Sequence, residues 1–378
     1  MMGAEPYLAV NVGGGTVEEA SDWVKYVNHP NGTSYLTDLR QQSGRSKPWK
    51  VKFWGVGNES WDCGGNMTVD YYINEYKKYA TSMTSYSNTE GLFRIAVGPG
   101  TEDYAWTEAL MKHIPRKLID GISVHHYSVI NWSNKGSATA FSEDEYFQTM
   151  KQTIRMERFI SENSRVMDKY DPEKKIALVV DEWGGWYNVE PGTNPAFLYQ
   201  QNTMRDAMIA GVTLNIFNNH ADRVKMANLA QTVNVLQAVI LTKEEKMILT
   251  PTYHVMEMYK VHQDARLIPL SVKTDAYEFN GKSLDAVWAS ASKDTTGTVH
   301  ISLVNIDAQK SKTVSVDLSN LRASKVSGRI LRAQRLQDHN SFESPGMVRP
   351  EVFNDAAVSD NKLSLTLPPF SVVVVALK

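Results

Sequence analysis

Two glutamates stand where an α/β chain builds chemistry. Glu59 follows Asn58 at the end of the apolar run Phe53-Trp54-Gly55-Val56-Gly57 and precedes a glycine-rich segment, Trp61-Asp62-Cys63-Gly64-Gly65-Asn66. Glu182 ends a second run, Ile176-Ala177-Leu178-Val179-Val180-Asp181, and aromatics follow it at Trp183, Trp186 and Tyr187. In parallel α/β folds, sites form at the C-terminal ends of strands. Two carboxyl groups at the ends of two different strands are the minimum set for glycoside hydrolysis. One protonates the leaving oxygen, and the other attacks or activates water. Asn58 would hydrogen-bond a substrate hydroxyl. Against this stands a structural reading of equal weight, in which Glu59 only caps the helix that follows.

Strand alternation divides Asp181 from Glu182. Glu182 shares a face with Val180 and Leu178 and is expected at the mouth, with Asp181 between sheet and helices. A third run, Ile122-Ser123-Val124-His125-His126-Tyr127, places His125 and Tyr127 on one face, suited to hydrogen-bonding a nucleophile. Adjacent strand residues face apart, so His125 and His126 do not make a metal pair, and no metal site is expected. Gly13-Gly14-Gly15 lacks both the dinucleotide and the P-loop patterns and reads as a flexible strand-to-helix connection. No Gly-x-Ser-x-Gly elbow occurs, and Cys63, the single cysteine, reads as a packing residue. Gln231 is either a helix-start polar residue or a substrate ligand.

The elements that must position these residues alternate. Strand-like runs at Leu8–Val12, Val51–Gly57, Phe93–Val97, Ile122–Tyr127, Ile176–Trp183 and Thr213–Asn218 are separated by helical patterns. Among these are a capping box at Thr16-Val17-Glu18-Glu19, a helix after Thr68, a long helix over Glu143–Asp168 and an apolar helix over Asn228–Leu241. Asn215, Asn218, Asn219 and His220 would then line the mouth at the end of the sixth strand. Six strand-helix units fit either a doubly wound sheet or part of a (β/α)8 barrel. From about residue 263 the runs are short, regularly spaced strands, as in an antiparallel β-sandwich. The expected domains are a barrel over 1–262 and a sandwich over 263–378.

Composition narrows the class. The 378 residues are 42% hydrophobic and 22% charged with a formal net charge of -2, as in an ordinary globular protein with no basic excess for nucleic acid. One cysteine permits neither an internal disulfide nor a cysteine cluster. No run of about 18 apolar residues spans a membrane, and the first residues lack signal-peptide character. Nine Trp and 17 Tyr suit a saccharide cleft as well as a large core.

The sequence resembles the α-L-arabinofuranosidases of glycoside hydrolase family 51. The resemblance rests on Glu5-Pro6-Tyr7-Leu8-Ala9-Val10-Asn11, Trp54-Gly55-Val56-Gly57-Asn58-Glu59, Ile122-Ser123-Val124-His125-His126-Tyr127, Asp181-Glu182-Trp183, Ala230-Gln231-Thr232-Val233-Asn234-Val235-Leu236 and Leu367-Pro368-Pro369-Phe370-Ser371. It implies a (β/α)8 barrel whose strands three to eight are these six, with the first two lying upstream, followed by a β-sandwich. It implies Glu59 as acid/base and Glu182 as nucleophile of a retaining exo-acting enzyme, with carboxyl groups about 5–5.5 Å apart. It further implies that Asn58 binds the sugar 2-hydroxyl, His125 and Tyr127 orient Glu182, Trp186 shapes the leaving-group side and Gln231 binds the furanose. No cofactor is expected. The expected partner is an arabinose-containing oligo- or polysaccharide, and the expected assembly is a homo-oligomer. The alternatives are a related retaining activity on glucan or xylan, or a non-catalytic fragment. Localisation stays open between bacterial cytoplasm and periplasm.

Overall fold

The computed structural model describes residues 3–30, 32, 34–86, 91–100, 102–229, 232–318, 321, 323 and 325–378. The chain divides into two compact units that alternate along the sequence. Residues 1–125, 159–181 and 222–226 form the first, and 126–158, 182–221 and 227–378 form the second.

A six-stranded sheet carries the front of the chain, with strands β1 (Tyr7–Val10), β2 (Phe53–Val56), β3 (Phe93–Ala96), β4 (Gly121–Ser128), β5 (Ala177–Gly185) and β6 (Val224–Ala227). Its spatial order is the sequence order, β1 to β6. The β1–β2, β2–β3 and β3–β4 pairs are parallel. A doubly wound sheet reverses its order at a switch point. An unreversed sequential order is the barrel arrangement, and it decides between the two folds that the strand count leaves open. Tyr7, Phe53, Phe93 with Ile95, Ala177 with Val179, and Met226 pack together as one layer drawn from five strands. This is how a barrel fills its interior.

The helices follow their caps. In α1 (Val17–Asn28), the Thr16 hydroxyl accepts from the Glu19 amide and the Glu19 carboxylate accepts from the Thr16 amide, which turns Ala20, Val24 and Val27 inward. Next come α2 (Tyr35–Gln42), α3 (Val69–Ser82) and α4 (Tyr104–His113). Tyr72 of α3 donates to the Val56 carbonyl and accepts from the Val97 amide, pinning the ends of β2 and β3. The long helix α5 (Glu143–Asp168) stands where expected.

Two sequence expectations fail. Residues 213–218 belong to helix α6 (Met204–Asn219), and the sixth strand is Val224–Ala227. Helix α6 is buried on nearly every side from Met204 to Phe217, so its sequence shows no polar stripe and imitates a buried strand. Asn215, Asn218 and Asn219 therefore line no strand end. They bond to the Trp288 carbonyl, the Ser290 hydroxyl and the Ala289 carbonyl of strand Val287–Lys293. The second failure is 228–241, whose described residues hold no helix. Asn234 and Gln237 adopt φ of 55° and 49°, and Ile240–Lys243 forms a hairpin with Lys246–Leu249.

After helix α7 (Pro251–Tyr259) and a short turn to His262, the described residues form strands alone. A six-stranded antiparallel sheet joins 351–353, 326–331, 371–377, 299–305, 287–293 and 266–268 in that order. A three-stranded sheet joins 312–317, 362–367 and 356–359.

Candidate active site

In the first unit the site grows from the end of β2. The strand breaks at Gly57, with φ of 99°, and Glu59 takes φ of 41°, a left-handed conformation uncommon for a side-chain-bearing residue. The following loop holds this turn. The Glu59 carbonyl accepts from the amides of Asp62 and Gly64, and the Met67 amide donates to the Ser60 carbonyl. A Cβ on Gly64 would stand 1.7 Å from the Asn58 carbonyl oxygen, and one on Gly13 would stand 2.5 Å from the Gly64 oxygen. Gly13 and Gly64 thus serve close backbone approach. Of the Gly13-Gly14-Gly15 connection, Gly13 is the residue that approaches the site loop. Trp61 donates from Nε1 to the Gly98 carbonyl and closes the loop on the other side.

Glu59 is partly buried and lies in a chain of polar contacts. Its Oε1 is 2.9 Å from His125 Nδ1, and the Cys63 thiol donates to Oε2 at 3.3 Å. On the far side of the ring, His125 Nε2 approaches Asp181 Oδ1 at 3.1 Å, an ion-pair contact off the line of a hydrogen bond. Tyr7 donates to Asp181 Oδ2 at 2.9 Å. The His125 ring and the Asp181 side chain are each 6% exposed. The hydrogen bond to His125 holds Glu59 below the ordinary carboxylate range. Burial opposes this, while the charge on His125 and the Cys63 thiol add to it. Burial, then the charge of Asp181, pushes the Tyr7 hydroxyl well above its usual value, so Tyr7 stays a donor.

This corrects the expected place of Asp181. It shares the face of Ala177 and Val179, which is the interior layer, and meets Tyr7 and His125 there. His125 in turn contacts Glu59 and Asp181, contacts that face alternation alone does not foretell. Asn58 is exposed beside Glu59.

In the second unit, Glu182 follows Asp181 on β5. The Tyr127 hydroxyl donates to Glu182 Oε1 at 2.5 Å. On β4, residues two apart meet adjacent residues on β5: His125 meets Asp181, and Tyr127 meets Glu182. Strict alternation fails at this strand end, and Gly184 follows with φ of 139°. Gln237 fixes the bend by accepting from the Gly185 amide at 2.6 Å.

Trp186 packs edge-on to Tyr127 at 4.9 Å and to Trp132 at 5.5 Å. Trp132 is 60% exposed, and the Lys135 ammonium stands over both indoles. An exposed indole is a surface on which a sugar ring can lie. Trp132, Lys135, Tyr7 and Gln237 carry no role in the sequence reading, and Asp181 carries only a place away from the mouth. Tyr7 and Asp181 lie in segments that carry the resemblance, and the other three carry no local signal. Gln231 lies outside the described residues.

A sequentially ordered parallel sheet with carboxylates at its strand ends is the plan of a barrel glycoside hydrolase. Comparison with known proteins narrows this. The α-L-arabinofuranosidase 1 domain matches residues 2–155, and the α-L-arabinofuranosidase C-terminal domain matches 181–371. An intracellular exo-α-L-arabinofuranosidase from Bacteroides ovatus is 45% identical over 100% of this chain and 73% of its own length. The GH51 arabinofuranosidase structure from Xanthomonas axonopodis pv. citri is 44% identical with a TM-score of 0.95, covering 100% of this chain and 76% of that one. An α-L-arabinofuranosidase from Thermotoga maritima, solved as an arabinose complex, is 27% identical with a TM-score of 0.81, covering 99% and 76%. The chain belongs to the α-L-arabinofuranosidases of glycoside hydrolase family 51.

Proposed function

We propose that the chain releases terminal α-L-arabinofuranosyl residues from arabinoxylan, arabinan or arabino-oligosaccharides by double displacement, with Glu59 as acid/base and Glu182 as nucleophile. The observation that carries the assignment is the Tyr127–Glu182 hydrogen bond at 2.5 Å. A hydrogen bond of this kind holds a carboxylate aimed in one direction, as a nucleophile requires. Glu59 is tied to a titratable partner, His125, as a group that must both give and take a proton requires.

In the first step Glu182 attacks the anomeric carbon while Glu59 protonates the departing glycosidic oxygen. In the second, Glu59 takes a proton from water, and that water displaces Glu182 with net retention. Asn58 binds the sugar 2-hydroxyl, Gln231 binds the furanose, and Trp186 shapes the leaving-group side. The reading includes a homo-oligomer, which light scattering on the purified protein tests. It also includes a cytoplasmic site of action, supported by the intracellular Bacteroides ovatus relative. Among the described residues no helix is long and apolar enough to cross a membrane.

The test uses both glutamates. Glu182→Ala should abolish turnover. Glu59→Ala should lose most on substrates with poor leaving groups, and azide should rescue it with retained configuration, because a small anion attacks the glycosyl-enzyme without a general base. The same rescue signature on Glu182→Ala would reverse the two roles.

A further inference from the structure

We propose that His125 stores the proton that Glu59 delivers, and that Asp181, held by Tyr7, fixes His125 in the state that can store it. This rests on Glu59 being the acid/base and adds a positioning role for Asp181 and Tyr7.

The geometry sets the protonation. Both ring nitrogens of His125 face carboxylates, Nδ1 toward Glu59 Oε1 at 2.9 Å and Nε2 toward Asp181 Oδ1 at 3.1 Å. A neutral ring would turn a lone pair on one of them, whereas an imidazolium donates a hydrogen bond to Glu59 and sets its positive charge against Asp181. Asp181 is 6% exposed and accepts from Tyr7, a hydroxyl that stays protonated. Within the first unit, the charged and titratable groups that contact or act on this set include Glu59 from the loop after β2, Cys63 on Glu59, Asp181 on β5, Tyr7 on β1 and Tyr72 on α3. Neither tyrosine gains charge in the working range, because burial raises both.

Beside Asp181, Glu59 and His125 share one proton. In the empty site it rests on Nδ1, which leaves Glu59 a carboxylate. This reconciles a carboxyl group held below its usual range with the work of a general acid. As the glycosidic oxygen arrives, the proton passes from Nδ1 to Glu59 Oε1 and from Glu59 to the leaving oxygen while the anomeric C–O bond breaks. The ring is left neutral, its Nε2–H toward Asp181. In the second step the attacking water gives its proton to Glu59, which refills the pair. The proton count of the active form is therefore a property of the pair.

The experiment is the pH dependence of kcat/KM on an arabino-oligosaccharide and on a 4-nitrophenyl arabinofuranoside, for the unmodified protein, Asp181→Asn and His125→Gln. Gln keeps an amide donor toward Glu59 but stores no proton. Asn removes the charge that keeps the ring doubly protonated. Both substitutions should move the alkaline limb on the oligosaccharide to lower pH by about one unit or more. At neutral pH this lowers kcat/KM on that substrate about tenfold or more, with much less loss on the nitrophenyl substrate, whose leaving group needs little protonation. Equal losses on both substrates with an unmoved limb, in either variant, would overturn the proposal. Azide rescue of Glu59→Ala separates the two levels. Rescue with an unmoved limb removes only the role of His125, and no rescue removes the acid/base assignment itself.

Discussion

The Tyr127 hydroxyl meets Glu182 Oε1 at 2.5 Å, and the same Tyr127 ring packs edge-on against Trp186 at 4.9 Å. One side chain thus joins the proposed nucleophile to the aromatic wall beside it. Tyr127→Phe keeps the ring and removes the donor. A hydrogen bond to a charged group contributes about 1.5–3 kcal/mol, so kcat should fall roughly 10- to 100-fold. The melting temperature should stay close to that of the unmodified protein. Steady-state kinetics alongside calorimetry checks this, and an unchanged kcat would remove Tyr127 from the mechanism.

The glycine-rich loop predicts a backbone effect. A Cβ at Gly64 would stand 1.7 Å from the Asn58 carbonyl oxygen, which no rotamer relieves. Gly64→Ala must displace the turn that carries Asn58 and Glu59. It should destabilise the protein by about 1–3 kcal/mol. It should also lower kcat/KM by more than tenfold, because acid catalysis depends on placement. Denaturant titration and kinetics on the same sample measure both.

Exposed aromatics predict a substrate-length effect. Trp132 is 60% exposed and contributes little to the core, so Trp132→Ala should leave stability within about 0.5 kcal/mol. If the indole supports the leaving-group side, KM should rise severalfold on arabino-oligosaccharides and change little on a small aryl arabinoside. Equal effects on both substrates would place the indole elsewhere.

The sandwich carries its own pH dependence. His262 is hydrogen-bonded to Ser292 and Ser302, and burial, followed by the charge of His300, pushes it down to about 4. The unfolded chain protonates this ring near 6.5, and the folded chain only near 4. Between these values the unfolded state holds more protons, so stability contributed by the neutral ring is full above about 6.5 and is lost as pH falls toward 4. The effect is on the order of 2 kcal/mol once solvent screening is allowed for. Thermal melts at pH 7 and pH 4.5 should converge for His262→Asn relative to the unmodified protein. Parallel curves for the two would show that His262 is protonated in the fold.

Much of this was legible in the sequence, for reasons that differ by element. Strands β2, β4 and β5 show as apolar runs because both of their faces are largely covered, and α1 shows through its Thr16–Glu19 cap. Helix α6 hides because burial all round erases the 3.6-residue period, whereas β6 has four residues and an exposed Lys225, too little for a pattern. Glu59, Glu182 and Tyr127 stood out through their places at strand ends. Asp181 was misplaced because alternation was carried one residue too far, into a strand end where adjacent residues meet His125 and Tyr127. Tyr7 could not be linked to Asp181 from sequence, since 174 positions separate them and only the barrel layer brings them together.

The most direct measurement of the central claim is peptide mapping, by mass spectrometry, of the glycosyl-enzyme that accumulates when Glu59→Ala turns over an aryl arabinofuranoside with a good leaving group. Without its general base the second step slows, and the pentosyl adduct should appear on the peptide containing Glu182, attached at that residue. An adduct at another carboxylate, or turnover that yields inverted arabinose with no adduct, would contradict the assignment.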